Sequence, residues 1–146
     1  MLVLVGHISI EKWEAANQKK IIVYNIKGSL SIDLINGNFY HYIGKADPSS
    51  QSFYIRPARI YNMLSHKAPD IKCVMDRFYF FEGYKILIID SSIRFSSSSK
   101  TTLDLVIITH NAKISIQNLV TCFDIKQVIF DASNSLWKID KWKMDC

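Results

Sequence analysis

Asp90 and His110 are the two residues of this sequence best placed to do chemistry. Each ends an apolar, β-branched run: Lys85-Ile86-Leu87-Ile88-Ile89 leads to the first, and Leu103-Asp104-Leu105-Val106-Ile107-Ile108-Thr109 to the second. The carboxyl ends of parallel strands are where α/β folds gather their sites, so a carboxylate and an imidazole can converge there. A hydrolytic metal centre needs about three protein ligands and a water. The remaining histidines, His7, His41 and His66, are scattered, with no H-x-H-x-D-H or H-E-x-x-H grouping to complete such a set. Cys73, Cys122 and Cys146 form no C-x-x-C pair and leave an odd count, so neither a zinc ribbon nor a disulfide framework is encoded. Cys122, inside Leu119-Val120-Thr121-Cys122-Phe123, reads as a small core hydrophobe. Ser96 to Ser99 lack a G-x-S-x-G elbow, and no glycine-rich phosphate loop occurs anywhere. These residues argue against catalysis, and no cofactor and no resident metal are expected.

Binding chemistry has a different candidate. Trp137-Lys138-Ile139-Asp140-Lys141-Trp142-Lys143 interleaves aromatic rings with cations, the combination that stacks on bases and meets phosphates in single-stranded nucleic acid. Trp137, Lys138, Lys141 and Lys143 are the contact candidates, while at least one of the two tryptophans is expected to dock its helix on a sheet. The chain carries a net charge of +5, but 14 of its 18 cations are lysines spread along the sequence, with no run longer than Lys19-Lys20. So diffuse a charge neutralises few phosphates, and any DNA binding is expected to be weak, sequence-independent and abolished by salt.

These residues must be positioned by a chain of 146 residues, a usual size for one domain, and its 49% hydrophobic content is too high for disorder. No stretch approaches the roughly 18 apolar residues of a membrane span. Residues 1–19 read as an N-terminal amphipathic or membrane-proximal segment: Met1 to Ile8 lacks the basic region and cleavage site of a signal peptide, and Ile8, Trp13 and Ala16 set a short helical stripe behind Ser9. Residues 20–146 read as the domain itself. Lys20 to Ile26 and Ser29 to Ile35 form a hairpin about Lys27-Gly28, with Ser31 and Asp33 on the side opposite Leu30, Ile32 and Leu34. Asn36-Gly37-Asn38 turns into a third strand, Phe39 to Ile43. Lys45 to Ser52 reads as a polar loop, and Ala58 to Leu64 as a strand or a helix, with the strand preferred. Val74 to Phe81 and Tyr84 to Asp90 make a second hairpin about Glu82-Gly83, followed by a serine-rich loop over Ser91 to Lys100. A strand over Leu103 to Thr109, a helix from Ser115 to Phe123, a strand from Gln127 to Phe130 and a helix from Asn134, capped by Ser133 or Asn134, then give a C-terminal βαβα unit. The fold class is α/β, with antiparallel strands first.

Several of these phrases together resemble a known family. Ile22-Val23-Tyr24-Asn25, Ser31-Ile32-Asp33-Leu34-Ile35, Lys85 to Asp90, Leu103 to Asn111, and above all Lys126-Gln127-Val128-Ile129-Phe130-Asp131-Ala132-Ser133-Asn134 with Leu136-Trp137-Lys138-Ile139 resemble the C-terminal region of ComEC-type competence proteins. These are the inner-membrane channels of DNA uptake in natural transformation, here in a Bacteroidetes-like variant. The resemblance implies a shortened, degenerate metallo-β-lactamase-like fold. In it Lys27-Gly28-Ser29 stands at the family's first turn, Asp90 at its Thr-Gly-Asp aspartate, and Thr109-His110-Asn111 at its His-His element. The central H-x-H-x-D-H is missing from its expected place around Lys45 to Ser52, and with it most metal ligands, leaving Asp90 and His110 as vestiges.

The resemblance therefore implies a soluble, non-catalytic module belonging to a longer bacterial inner-membrane protein for DNA internalisation. Its partners would be that protein's membrane channel portion and, weakly, single-stranded DNA. The rivals are a metal-dependent phosphodiesterase or nuclease of the metallo-β-lactamase superfamily, and a structural interaction domain unrelated to DNA. The last helix has no Gly or Asn cap before Cys146, so the sequence also reads as a piece of a longer chain that would self-associate when isolated.

Overall fold

The computed structural model describes residues 11–67, 73–74, 77–96 and 100–145. It divides into two compact units, one of residues 1–24 and 31–70, the other of residues 25–30 and 71–146. His7, Ser9, Ser97 to Ser99 and Cys146, which carried expectations above, lie outside the described residues.

In the first unit, helix α1 is described over 11–17. Its expected stripe is corrected: Ala15 is buried, whereas Trp13 and Ala16 are exposed. Strands β1 (Lys19–Val23), β2 (Ser31–Asn36) and β3 (Phe39–Gly44) form an antiparallel meander, and β4 (His66–Lys67) pairs with β3 in parallel. Gly37 takes φ +58, and a Cβ there would lie 2.7 Å from the Ala16 carbonyl oxygen, so the turn after β2 admits glycine alone.

Two expectations fail between β3 and β4. The segment Lys45 to Ser52 is not all loop: the Asp47 carboxylate accepts N–H bonds from Ser49 and Ser50 at 2.9 and 3.0 Å and starts a helix. Nor is Ala58 to Leu64 a strand. Helix α2 (Pro48–Ser50), a π-helical turn (Gln51–Ile55) and α3 (Arg56–Tyr61) follow one another without a break. The alternation in β2 is also corrected, because Ser31 to Ile35 are buried on both faces. Asp33 is admitted there by three donor contacts. Arg59 Nε and Nη2 each donate to its carboxylate at 2.8 Å, and the Tyr24 hydroxyl donates at 2.7 Å. The Arg59 guanidinium lies over the Tyr40 ring at 3.8 Å.

In the second unit, β5 (Cys73–Val74), β6 (Phe78–Phe81), β7 (Tyr84–Ile89), β9 (Leu105–Ile108) and β11 (Val128–Phe130) form a five-stranded sheet in the order β11-β9-β7-β6-β5. The β6–β7 hairpin is antiparallel, whereas β7, β9 and β11 run parallel. The expected strand over Leu103 to Thr109 is interrupted at Asp104, whose carboxylate accepts the Lys85 N–H and the Lys126 ammonium. Before that break β8 (Thr101–Leu103) pairs with β10 (Phe123–Ile125) in a small sheet of its own. Helix α4 (Ile116–Cys122) links β9 to β10, with Ser115 capping it by accepting the Asn118 N–H, and α5 (Leu136–Asp145) follows β11. The expected βαβα unit is present. Leu87, Ile89, Val106 and Ile108 pack with Ile116, Leu119, Cys122 and Trp142 as one core, so Cys122 is the buried hydrophobe it was read to be.

Candidate functional site

Because β7, β9 and β11 are parallel, the residues that follow them, Asp90, Thr109-His110 and Asp131, come to one edge of the second unit's sheet. Asp90 and His110 therefore share an edge, as the strand reading expected. Asp90 is exposed; the Ser91 hydroxyl donates to it at 3.0 Å and an Arg77 nitrogen approaches to 3.7 Å. His110 and Asn111 both take left-handed backbone angles, φ 52 and 53, an arrangement uncommon outside glycine and held here by side-chain bonds on both flanks.

Asp131 is the centre of those bonds, and the sequence reading did not single it out as a site residue. Buried at the end of β11, it accepts the Thr109 hydroxyl at 2.9 Å on one oxygen and the Ser133 hydroxyl at 2.6 Å on the other. The Asn134 amide donates to it at 3.0 Å and to the Ile108 carbonyl at 2.6 Å. Ser133 Oγ accepts the His110 N–H at 2.7 Å, and Asn134 Oδ1 accepts the Asn111 N–H at 2.9 Å. Ser133 and Asn134 are thus occupied in tying β9 to β11, and neither caps α5 as expected. The helix instead starts after Ser135, whose N–H and hydroxyl both donate to Asn111 Oδ1.

His110 Nδ1 lies 3.0 Å from Thr109 Oγ1, which is also 2.8 Å from Ser133 Oγ, so the ring adjoins the hydroxyl pair bonded to Asp131. Among the described residues no three His, Cys, Asp or Glu side chains gather into a set able to hold a metal ion. The Asp131 oxygens, at the same edge as Asp90 and His110, are taken by Thr109, Ser133 and Asn134. Among the described residues this donor set does not supply the three ligands of a hydrolytic metal centre.

On α5 the two tryptophans separate. Trp142 is 3% exposed and stacks on Phe130 at 5.5 Å, docking the helix, whereas Trp137 is 69% exposed beside an exposed Leu136. The Lys138 ammonium donates to the Asn111 carbonyl and lies 5.2 Å from the Trp142 ring. Partial burial, then the nearby charges of Lys113 and Lys141, hold its pKa below the usual lysine value. Lys113, Lys138 and Lys141 therefore form one cationic cluster, with Lys143 exposed further along the helix. Lys113 was missed in sequence because it lies 24 residues before Trp137 and only the fold brings it near Lys138.

A family model described as the ComEC C-terminal domain matches residues 21–146. The chain belongs to the ComEC C-terminal domain family. The match runs through both units, from β1 to the end of α5, and takes in every residue of the edge that carries Asp90, His110 and Asp131. No curated protein and no solved structure matches the chain. Membership connects this ComEC domain with DNA uptake in competence and with a larger membrane protein. Among the described residues no helix is long and apolar enough to cross a membrane.

Proposed function

We propose that this ComEC domain is a soluble, non-catalytic module of an inner-membrane DNA-uptake protein, a degenerate metallo-β-lactamase relative that makes weak contact with single-stranded DNA. The observation carrying the non-catalytic reading is the saturation of Asp131. The third side chain available at the edge shared by Asp90 and His110 spends both oxygens on hydroxyl and amide donors. Freeing it would leave buried hydroxyl and amide protons without acceptors, at about 1–3 kcal/mol each. The edge is thereby a structural clasp that orients the chain entering α5. Exposed Trp137, with Lys113, Lys138, Lys141 and Lys143, offers one stacking surface and a small cationic field, which is the chemistry of salt-sensitive, sequence-tolerant strand binding.

The experiment is metal analysis of the purified domain together with a nuclease assay on single- and double-stranded DNA. The expected outcome is no stoichiometric zinc or manganese and no cleavage. Tightly held metal, lost with cleavage activity in Asp90→Ala or His110→Ala, establishes the rival reading, a metal-dependent nuclease. That rival draws its support from the parallel strands that bring Asp90 and His110 to one edge.

A further inference from the structure

Helical segment 48–61 in the first unit is built inside out. Its buried side carries Ile55, Arg59 held on Asp33, and, at its end, Asn62, whose amide donates to the Ala58 carbonyl and whose own oxygen accepts the Lys20 ammonium at 2.8 Å. The outward side carries Phe53, Pro57, Ile60 and Tyr61, at the spacing of a single helical face. Phe53 is 74%, Ile60 68% and Tyr61 85% exposed, and Tyr54 lies beside them half exposed. A helix that spends its polar partners inward and its aromatic and branched residues outward has an apolar medium to meet.

Charge says which medium. From Pro48 to Ser65 there is no Asp or Glu, and exposed Arg56 stands within the stripe. Beside Ile60 opens a cleft of about 490 Å³ with apolar walls from Pro48 and Leu64 and donors from Arg56, Gln51, Ser52 and Ser65, and none of its lining residues is acidic. Glu11 and Glu14 line a different cavity with Tyr61, which sets the limit of the acid-free stripe at that residue.

We infer that this helical face lies on an anionic phospholipid surface, with Phe53, Pro57 and Ile60 at the acyl boundary and a headgroup phosphate in the Arg56 cleft. Membership in a membrane protein keeps a bilayer near the domain at high effective concentration, so modest intrinsic affinity suffices. A second copy fits less well, since a two-fold pairing of this stripe brings Arg56 toward its own equivalent. Single-stranded DNA also fits less well, because Pro57 and Ile60 at the centre of the stripe offer bases no stacking plane. The inference does not depend on the reading of the Asp131 edge.

The test is co-sedimentation of the whole chain with vesicles of phosphatidylcholine alone and of phosphatidylcholine with phosphatidylglycerol, using the wild type, Arg56→Gln and the double variant Phe53→Ser/Ile60→Ser. Circular dichroism checks that each variant is folded. Binding to the anionic vesicles is expected, with a loss of about tenfold or more in the double variant and a smaller loss, confined to the anionic vesicles, in Arg56→Gln. Failure to bind either vesicle overturns the inference, as does binding that the double variant leaves unchanged. So does light scattering that shows a dimer dissociated by the double variant, or DNA anisotropy abolished by it. None of these outcomes bears on metal content or cleavage, so the two proposals fail separately.

Discussion

Asp33 has no exposed surface, yet it lies in a strand whose alternation placed it toward solvent. No local pattern tells a solvated aspartate from one matched by an arginine 26 positions later, and this is why the ion pair with Arg59 was illegible in sequence. Asp33→Ala strands the Arg59 guanidinium against two tyrosine rings and is expected to cost about 3–5 kcal/mol in urea unfolding. Tyr24 reports the same site through pH. Burial, and then the Asp33 carboxylate accepting its hydroxyl, push its pKa above the ordinary value near 10. The folded state thus holds this proton more tightly than the unfolded chain does. Its stabilising effect is complete below pH 10 and declines as pH rises from there toward the folded-state value. Tyr24→Phe is expected to flatten that alkaline decline in unfolding curves taken between pH 9 and 11. In the second unit Asp131→Ala removes the acceptor of Thr109, Ser133 and Asn134 and is expected to lose about 2–4 kcal/mol. Exposed Asp90→Ala is expected to stay within about 0.5 kcal/mol.

Among the elements, α5 was readable and α3 was not, for one physical reason. The period of α5 points to a core, and Trp142 does insert there, stacked on Phe130. In α3 the apolar residues point outward and Arg59 points inward, so the sequence shows no apolar core face to favour the helix over the strand. The parallel strands β7 and β9 were legible because branched apolar residues buried on both faces make unbroken apolar runs, and the half-buried β11 was legible as the short apolar run Val128-Ile129-Phe130. Only the break at Asp104 escaped, since the two lysine-bearing neighbours that stabilise it are distant in sequence. Trp142→Ala is expected to cost about 3–5 kcal/mol of stability, and Trp137→Ala less than about 0.5 kcal/mol. Fluorescence anisotropy with single-stranded oligonucleotides should reverse that order. Trp137→Ala is expected to weaken binding severalfold, and Lys141→Gln to lower the log–log salt slope by about 0.7. Binding that neither substitution alters would remove α5 from the DNA interface.

At the scale of the whole chain, the alternation of elements and the α/β class were legible, as was the edge carrying Asp90 and His110. The clasp around Asp131 was visible in sequence only as a phrase shared with the family, because the bonds that close it join Thr109, His110 and Asn111, just after β9, to residues after β11. The path of the chain also constrains its biosynthesis. Residues 25–30, the connection between β1 and β2, belong to the second compact unit, although the strands they join belong to the first. Ile26 and Leu30 in that connection are buried. On a ribosome working at about 5–20 residues per second, they emerge on the order of ten seconds before α5 is complete. The hairpin of the first unit can close early, but its loop must wait for companions not yet synthesised. Expressing residues 71–146 alone is therefore expected to give a less cooperative, more protease-sensitive product than the full chain. Supplying a peptide of residues 25–30 should restore little, because a tethered segment enjoys an effective concentration that a free hexapeptide lacks.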